Sequence, residues 1–178
     1  MSLLRNLASG LRSLFRKEQV DRELNEELGT YLEMAAAEKM KDGYRQGMRE
    51  NKLKAVSIMA RNPQSFVDFG QESAGRILSR RPRPTAAVAG NDEIAYGLWR
   101  TLRRHGAKVP DDISLVGFDD REEAVLMDPP LSTVRVHKEE IGETCMKMLL
   151  ERLHHPRMTF SQRILPTEFV IRGTVREL

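Results

Sequence analysis

The sequence predicts an α/β fold with a mostly parallel sheet, preceded by an α-helical N-terminal segment. Three observations carry this expectation. Short apolar runs, TAAVA at 85–89 and ISLVGF at 113–118, alternate with longer stretches of helical period from about residue 74 onward. Proline and glycine punctuate that alternation at Pro82, Pro84, Gly106, Pro129 and Pro130. Residues 1 to about 60 instead read as helical, with apolar residues three and four apart.

Taken in order, Leu3, Leu4, Leu7, Leu11, Leu14 and Phe15 share one helix face, and Arg5, Arg12, Arg16 and Lys17 supply the charge of that first stretch. An acidic segment follows, with Glu18, Asp21, Glu23, Glu26 and Glu27, while Leu24, Leu28, Tyr31 and Leu32 continue a helical stripe. Asp42-Gly43 is expected to break the run, and Met48 to Met59 to form another short helix. Arg80 to Pro84 stops a helix and serves as a linker, because proline cannot continue one. After the first strand a helix runs from Glu93 to about His105, burying Ile94, Leu98 and Leu102, with Gly106 as its C-terminal stop. A second strand, 113–118, leads into a short helix at 121–126 that Asp128-Pro129-Pro130 ends. Residues 132–136 form a further strand. Residues 138–153 form a long helix with Ile141, Cys145, Met148, Leu149 and Leu153 inward, and 163–171 close the chain as a strand. The division expected is a helical segment 1–60, a linker with the first sheet-associated helix at 61–84, and the α/β part at 85–178.

The chain has 178 residues, room for one domain or for a small domain with an appendage. Its composition, 40% apolar and 31% charged with a net charge of +3, is that of an ordinary globular protein and does not by itself point to nucleic acid. A single cysteine, Cys145, leaves no internal disulfide to form and fits a reducing compartment. No stretch reaches the roughly 20 apolar residues of a membrane span, and Arg5 and Arg12 interrupt any secretory core. A cytoplasmic location is therefore expected. Two readings of residues 1–17 stay open: a helix packed on a neighbour, or an interfacial helix on an anionic membrane surface.

In a parallel sheet ligands gather at the carboxyl ends of strands. Two such ends carry polar residues: Gly90-Asn91-Asp92 after the first strand and Asp119-Asp120 after the second. Asn91, Asp92 and Asp119 are candidate ligand contacts, since amides and carboxylates hold polyhydroxylated molecules by several directed hydrogen bonds. The alternative is helix capping, the commonest use of Asn and Asp at such places, which suits Asp92 and Asp120.

The blocks RPRPTAAVAGNDEIAYGLWRTLRRHGAKVPDDISLVGFDD, PPLSTVRV, GETCMKMLLERL and LPTEFVIRGTV, in that order, resemble the C-terminal half of a LacI/GalR-family sensor domain over about residues 70–175. The resemblance implies a partial periplasmic-binding-protein-like subdomain, a small sugar-like or nucleobase-like effector, and a homodimer. It implies further that Asn91 and Asp119 face the effector cleft and that Phe66 stands near the place where the family puts an aromatic ring against the effector. Family members begin with a helix-turn-helix, and none is found in residues 1–60, so DNA contact is expected only indirectly. The cleft would have one wall, and the helix at 138–153 would need another partner for its apolar face. Separately, MSLLRNLASGLRSLFRKEQVDRELNEELGTYLEMAAAEKM resembles the cytoplasmic prefix of MacB-like ABC-transporter permeases. That likeness implies an interaction module in which residues 1–60 dock on a membrane or a permease partner.

Other motifs are set aside. His105, His137, His154 and His155 have no zinc-site spacing, so no metal is expected. There is no glycine-rich phosphate loop, and no cofactor is expected. Cys145 on the apolar stripe reads as a buried structural thiol. Asp111-Asp112 and Asp119-Asp120 lie at opposite ends of one strand, so they make no paired-carboxylate hydrolase and no enzyme is expected.

Overall fold

A computed structural model describes residue 38 and residues 41–58, 64–159 and 161–176. The helix face expected over Leu3 to Phe15 lies outside them. The chain divides into two compact units, Met1–Ser57 and Ile58–Leu178.

In the first unit, residues 41–50 form helix α1. Asp42 and Gly43 sit inside it, so the break expected there does not occur; Asp42 pairs with Arg45 at 3.6 Å across one turn. The helix expected over Met48 to Met59 is also corrected. Lys52 adopts φ +57°, Leu53 N–H donates to Met48 O at 2.8 Å and Lys52 N–H to Arg49 O at 3.0 Å. This left-handed cap ends the helix, and residues 53–58 are irregular. The Tyr44 hydroxyl meets both the N–H and the carbonyl of Val56 at 3.3 Å, folding that strip back onto α1.

The second unit opens with α2 (Phe66–Leu78). Ser65 Oγ accepts from Asp68 N–H at 3.1 Å and donates to the Asp68 carboxylate at 2.8 Å, capping the helix start. Strand β1 (Ala86–Val88) leads into α3 (Asp92–Arg104), which crosses to β2 (Ser114–Asp119). A 3-10 turn, Glu122–Leu126, connects to β3 (Ser132–Arg135); α4 (Lys138–His154) and β4 (Glu168–Val170) follow. The sheet order is β1-β2-β3-β4. β1, β2 and β3 are parallel, with Ala87 opposite Leu115 and Phe118 opposite Val134, and β4 is antiparallel to β3.

Helices α2 and α3 cross closely because two glycines allow it. A methyl group on Gly97 would meet the Val67 carbonyl, and one on Gly70 would meet the Ile94 carbonyl. The core comprises Ala74 and Ile77 of α2, Ala95, Leu98 and Leu102 of α3, and Ile113, Leu115 and Leu131 of the sheet layer. Leu98 and Leu102 are buried as expected, while Ile94 is partly buried against them. Gly106, at φ +76°, follows the end of α3.

Two further expectations are corrected. α4 has no buried residue: Leu149 is 53% and Leu153 66% exposed, and Cys145 is exposed rather than buried. The sheet-and-helix core closes without α4, and its apolar stripe stays largely exposed among the described residues, with Met148 only partly covered. The closing strand is also shorter than 163–171. Pro166 has no N–H to give a ladder, and pairing starts at Glu168.

Candidate functional site

The carboxyl ends of β1 and β2 lie side by side, because those strands are parallel neighbours. This brings Asn91, at the start of α3, and Asp119, at the end of β2, to the same edge of the sheet. Asn91 is the N-cap of α3, with its Oδ1 accepting from Ile94 N–H at 2.8 Å. Its side-chain NH2 has no hydrogen-bond partner among the described residues. The cap falls on Asn91, and Asp92 is the first helical residue.

Asp92 is turned into the protein and is 5% exposed. Its Oδ1 accepts from Thr133 Oγ1 at 2.6 Å and its Oδ2 from Arg121 N–H at 2.8 Å. Gly117 leaves the space for this carboxylate, since a methyl group there would overlap Asp92 Oδ1. One side chain thus ties α3 to β2, to β3 and to the turn beyond β2. Both oxygens are occupied by the protein, as a buried carboxylate requires.

Asp119 is half-buried, and its carboxylate makes no hydrogen bond or ion pair among the described residues. Burial pushes its carboxyl above the ordinary range; Lys138 and Arg121 oppose that, and Asp92 and Glu93 add to it. Its φ is +107°, and that of Asp120 is +50°, a region L residues hold only when their surroundings impose it. Asp120 is fully engaged, with Oδ1 accepting from Arg172 at 2.6 Å and Oδ2 from Arg135 at 2.7 Å. Burial raises its pKa, but the hydrogen bonds and charges of Arg172 and Arg135 outweigh this and hold it below the ordinary carboxylate value. Arg135 also reaches Glu168 at 2.9 Å, and Arg172 donates to Leu131 O at 2.8 Å. Arg121 pairs with Glu93 at 3.1 Å beside the same edge.

Phe66, the first residue of α2, is 43% exposed. It takes no part in the hydrogen-bonded cluster around Asp92 and Asp120. Sequence reasoning missed Thr133, Arg135 and Arg172, which carry that cluster. The alternation of β3 put Thr133 on a definite face, but only the register of β2 and β3 shows that Arg135 stands opposite Asp119.

The arrangement offers one free amide and one unpartnered, half-buried carboxylate at adjacent strand ends, with a lysine near the carboxylate. Such groups accept from and donate to a small polar molecule. Among the described residues, no group of His, Cys, Asp and Glu is placed to hold a metal ion, and no helix is long and apolar enough to cross a membrane.

Comparison with known proteins adds the lineage. A periplasmic binding protein-like domain matches residues 30–175, so the likeness begins well before residue 70. The HTH-type transcriptional repressor PurR of Vibrio campbellii is 34% identical over 154 residues, which cover 85% of this chain and 45% of that repressor. The lactose operon repressor of Rhizobium radiobacter is 38% identical over 111 residues, covering 62% of this chain and 96% of that sequence. The chain spans about half the length of most of the curated relatives it matches. Among solved structures, the Lac repressor dimer bound to operator and an anti-inducer superposes with a TM-score of 0.69 at 27% identity, over 79% of this chain and 48% of that one. A ribose-bound LacI family regulator from Enterococcus faecium gives 0.65 at 27% identity, over 76% of this chain and 50% of that one. With a mostly parallel sheet, a matching domain over most of its length and repressor relatives at this identity, the chain belongs to the periplasmic-binding-protein-like domain family in the form carried by LacI-type repressors.

Proposed function

We propose that this chain is an effector-sensor of a transcription repressor and binds a small polyhydroxylated ligand at the carboxyl ends of β1 and β2. Asn91 and Asp119 are the contacts this reading assigns, Phe66 is a flanking aromatic, and Asp92 holds the edge in shape. The observation that carries it is the Asp119 carboxylate, half-buried yet unpartnered, beside the free Asn91 amide. A buried polar group without a partner is costly, and a ligand hydroxyl would supply the partner. Relatives support the ligand class: one is a ribose operon repressor and one solved neighbour holds ribose. Those relatives are repressors rather than enzymes.

Homodimerisation and a cytoplasmic location belong to the same proposal. So does the division at residues 60 and 84. The rival reading, docking of residues 1–60 on a membrane or permease, is not favoured. The family match takes in residues 30–60, and the basic stretch that suggested docking lies outside the described residues.

The test is a thermal melt of the full chain, alone and with ribose and a set of purine bases. Binding to the native state alone raises stability by about 2.7 kcal/mol at a ligand concentration of 100 Kd. A shift that grows with one ligand and is lost in Asp119→Ala supports the proposal. A cooperative melt unmoved by every ligand overturns it.

A further inference from the structure

Two consecutive aspartates with positive φ end β2, and only one of them has partners. Asp119 stands at φ +107° and Asp120 at +50°. Neither is glycine, so the surroundings must impose the conformation. The imposing contacts all fall on Asp120. Its side chain is 8% exposed, and its two oxygens are taken by two arginines from different parts of the chain. Arg135 ends β3 and is braced by Glu168 at the start of β4. Arg172 lies just past β4, is 17% exposed, and is braced by the Leu131 carbonyl. Each is a short charge-assisted bond, the strong kind.

We propose that Asp120 is the positioning residue of the candidate site: its double ion pair with Arg135 and Arg172 locks the left-handed turn and keeps the adjacent Asp119 carboxylate half-buried and unpartnered. The inference rests on the proposed sensor reading for its purpose, but its test does not need a ligand. Cutting one arm of the lock frees the turn, and Asp119 then reaches water. The groups facing Asp119 are Asp92 and Glu93 of α3, Arg121 of the following turn and Lys138 of α4.

Arg172→Gln separates positioning from simple electrostatics. Loss of a nearby positive charge, with the turn still in place, drives the Asp119 pKa further up. Release of the turn removes the burial that raised it and brings it down. The measurement is an NMR pH titration of the Asp119 side-chain carboxyl in the full chain, wild type against Arg172→Gln. Arg135→Gln is run alongside, since Arg135 is 41% exposed and its loss threatens folding less. A downward move in both variants, smaller in Arg135→Gln, is the expected result; an unchanged or rising value in both overturns the proposal. Ribose calorimetry on the same samples should show affinity falling by about tenfold or more in Arg172→Gln, as misplaced contacts do. A downward titration in a chain that binds neither ribose nor any of the purine bases keeps the positioning role and removes the sensor reading. Ribose binding with an unmoved titration does the reverse.

Discussion

Asp119 and Asp120 are neighbours with the same ionisable group, and folding treats them in opposite ways. Burial without a partner holds the Asp119 pKa above its ordinary 3.8, so the folded state takes up a proton more readily than the unfolded state. The wild-type chain therefore loses stability as pH rises through that raised value, and the loss is absent below 3.8. Asp119→Asn should raise the Tm at pH 7, with the gain vanishing in melts below about pH 4. Asp120 has a lowered pKa through its two arginines, so its contribution is present above 3.8 and is lost as pH falls through the depressed value. Asp120→Asn should lower stability at pH 7 by about 2 kcal/mol, because it takes the charge from two hydrogen-bonded arginines, and should matter little in strong acid. The same sign for both variants at pH 7 would refute this account. The placing of the candidate residues was legible in the sequence: polar residues at strand ends named Asn91 and Asp119, and the parallel pairing of β1 and β2 brings both to one edge. What could not be read was which acid would be satisfied internally. Asp92 finds Thr133 and Arg121 N–H, and Asp120 finds Arg135 and Arg172, across sequence separations of up to 52 residues.

Among the elements, those with a local cause were legible and those with a tertiary cause were not. Strands β1 and β2 follow from short apolar runs between breakers, and α3 from its period, although its cap falls on Asn91 and not on Asp92 as the sequence suggested. The end of α1 depends on Lys52 accepting a left-handed backbone, which no lysine advertises. The inward face expected for α4 was periodicity without a partner. The α2–α3 crossing gives an element-scale prediction from one substitution at two glycines. In α2, a methyl group on Gly75 meets nothing within 4 Å, so Gly75→Ala should gain up to about 1 kcal/mol of helix propensity. In α3, a methyl group on Gly97 collides with the Val67 backbone, so Gly97→Ala should lose about 1–3 kcal/mol through overpacking. Urea unfolding of the two variants checks the opposite signs. If Gly97→Ala is neutral, the helices do not cross as closely as the structure shows.

At the scale of the molecule, the second unit has a sheet and helix core, with α4 standing outside it. α4 holds its form by local means. Glu139 and Glu140 lie in its first turn, Arg152 and His154 in its last, and Lys147 pairs with Glu143 at 3.1 Å one turn away. Charges placed this way favour the helix dipole by a few tenths of a kcal/mol each. Its 17 residues are little more than the roughly 12–15 at which an isolated helix becomes marginal in water. By contrast Leu98, Leu102 and Leu115 are 3%, 1% and 0% exposed, so α3 and β2 share the stability of the core. Local opening should therefore differ sharply along one chain. Amide exchange at low protein concentration should be fast throughout α4 and slow in α3. Replacing Leu149 and Leu153 together by Glu should change unfolding stability by no more than about 0.5 kcal/mol, whereas Leu115→Ala should cost about 2–5 kcal/mol. If α4 instead exchanges as slowly as α3, or the double variant unfolds the chain, that apolar face is covered in solution. Repeating the exchange over a range of protein concentrations then tells a second copy, whose protection grows with concentration, from a contact within one chain, whose protection does not.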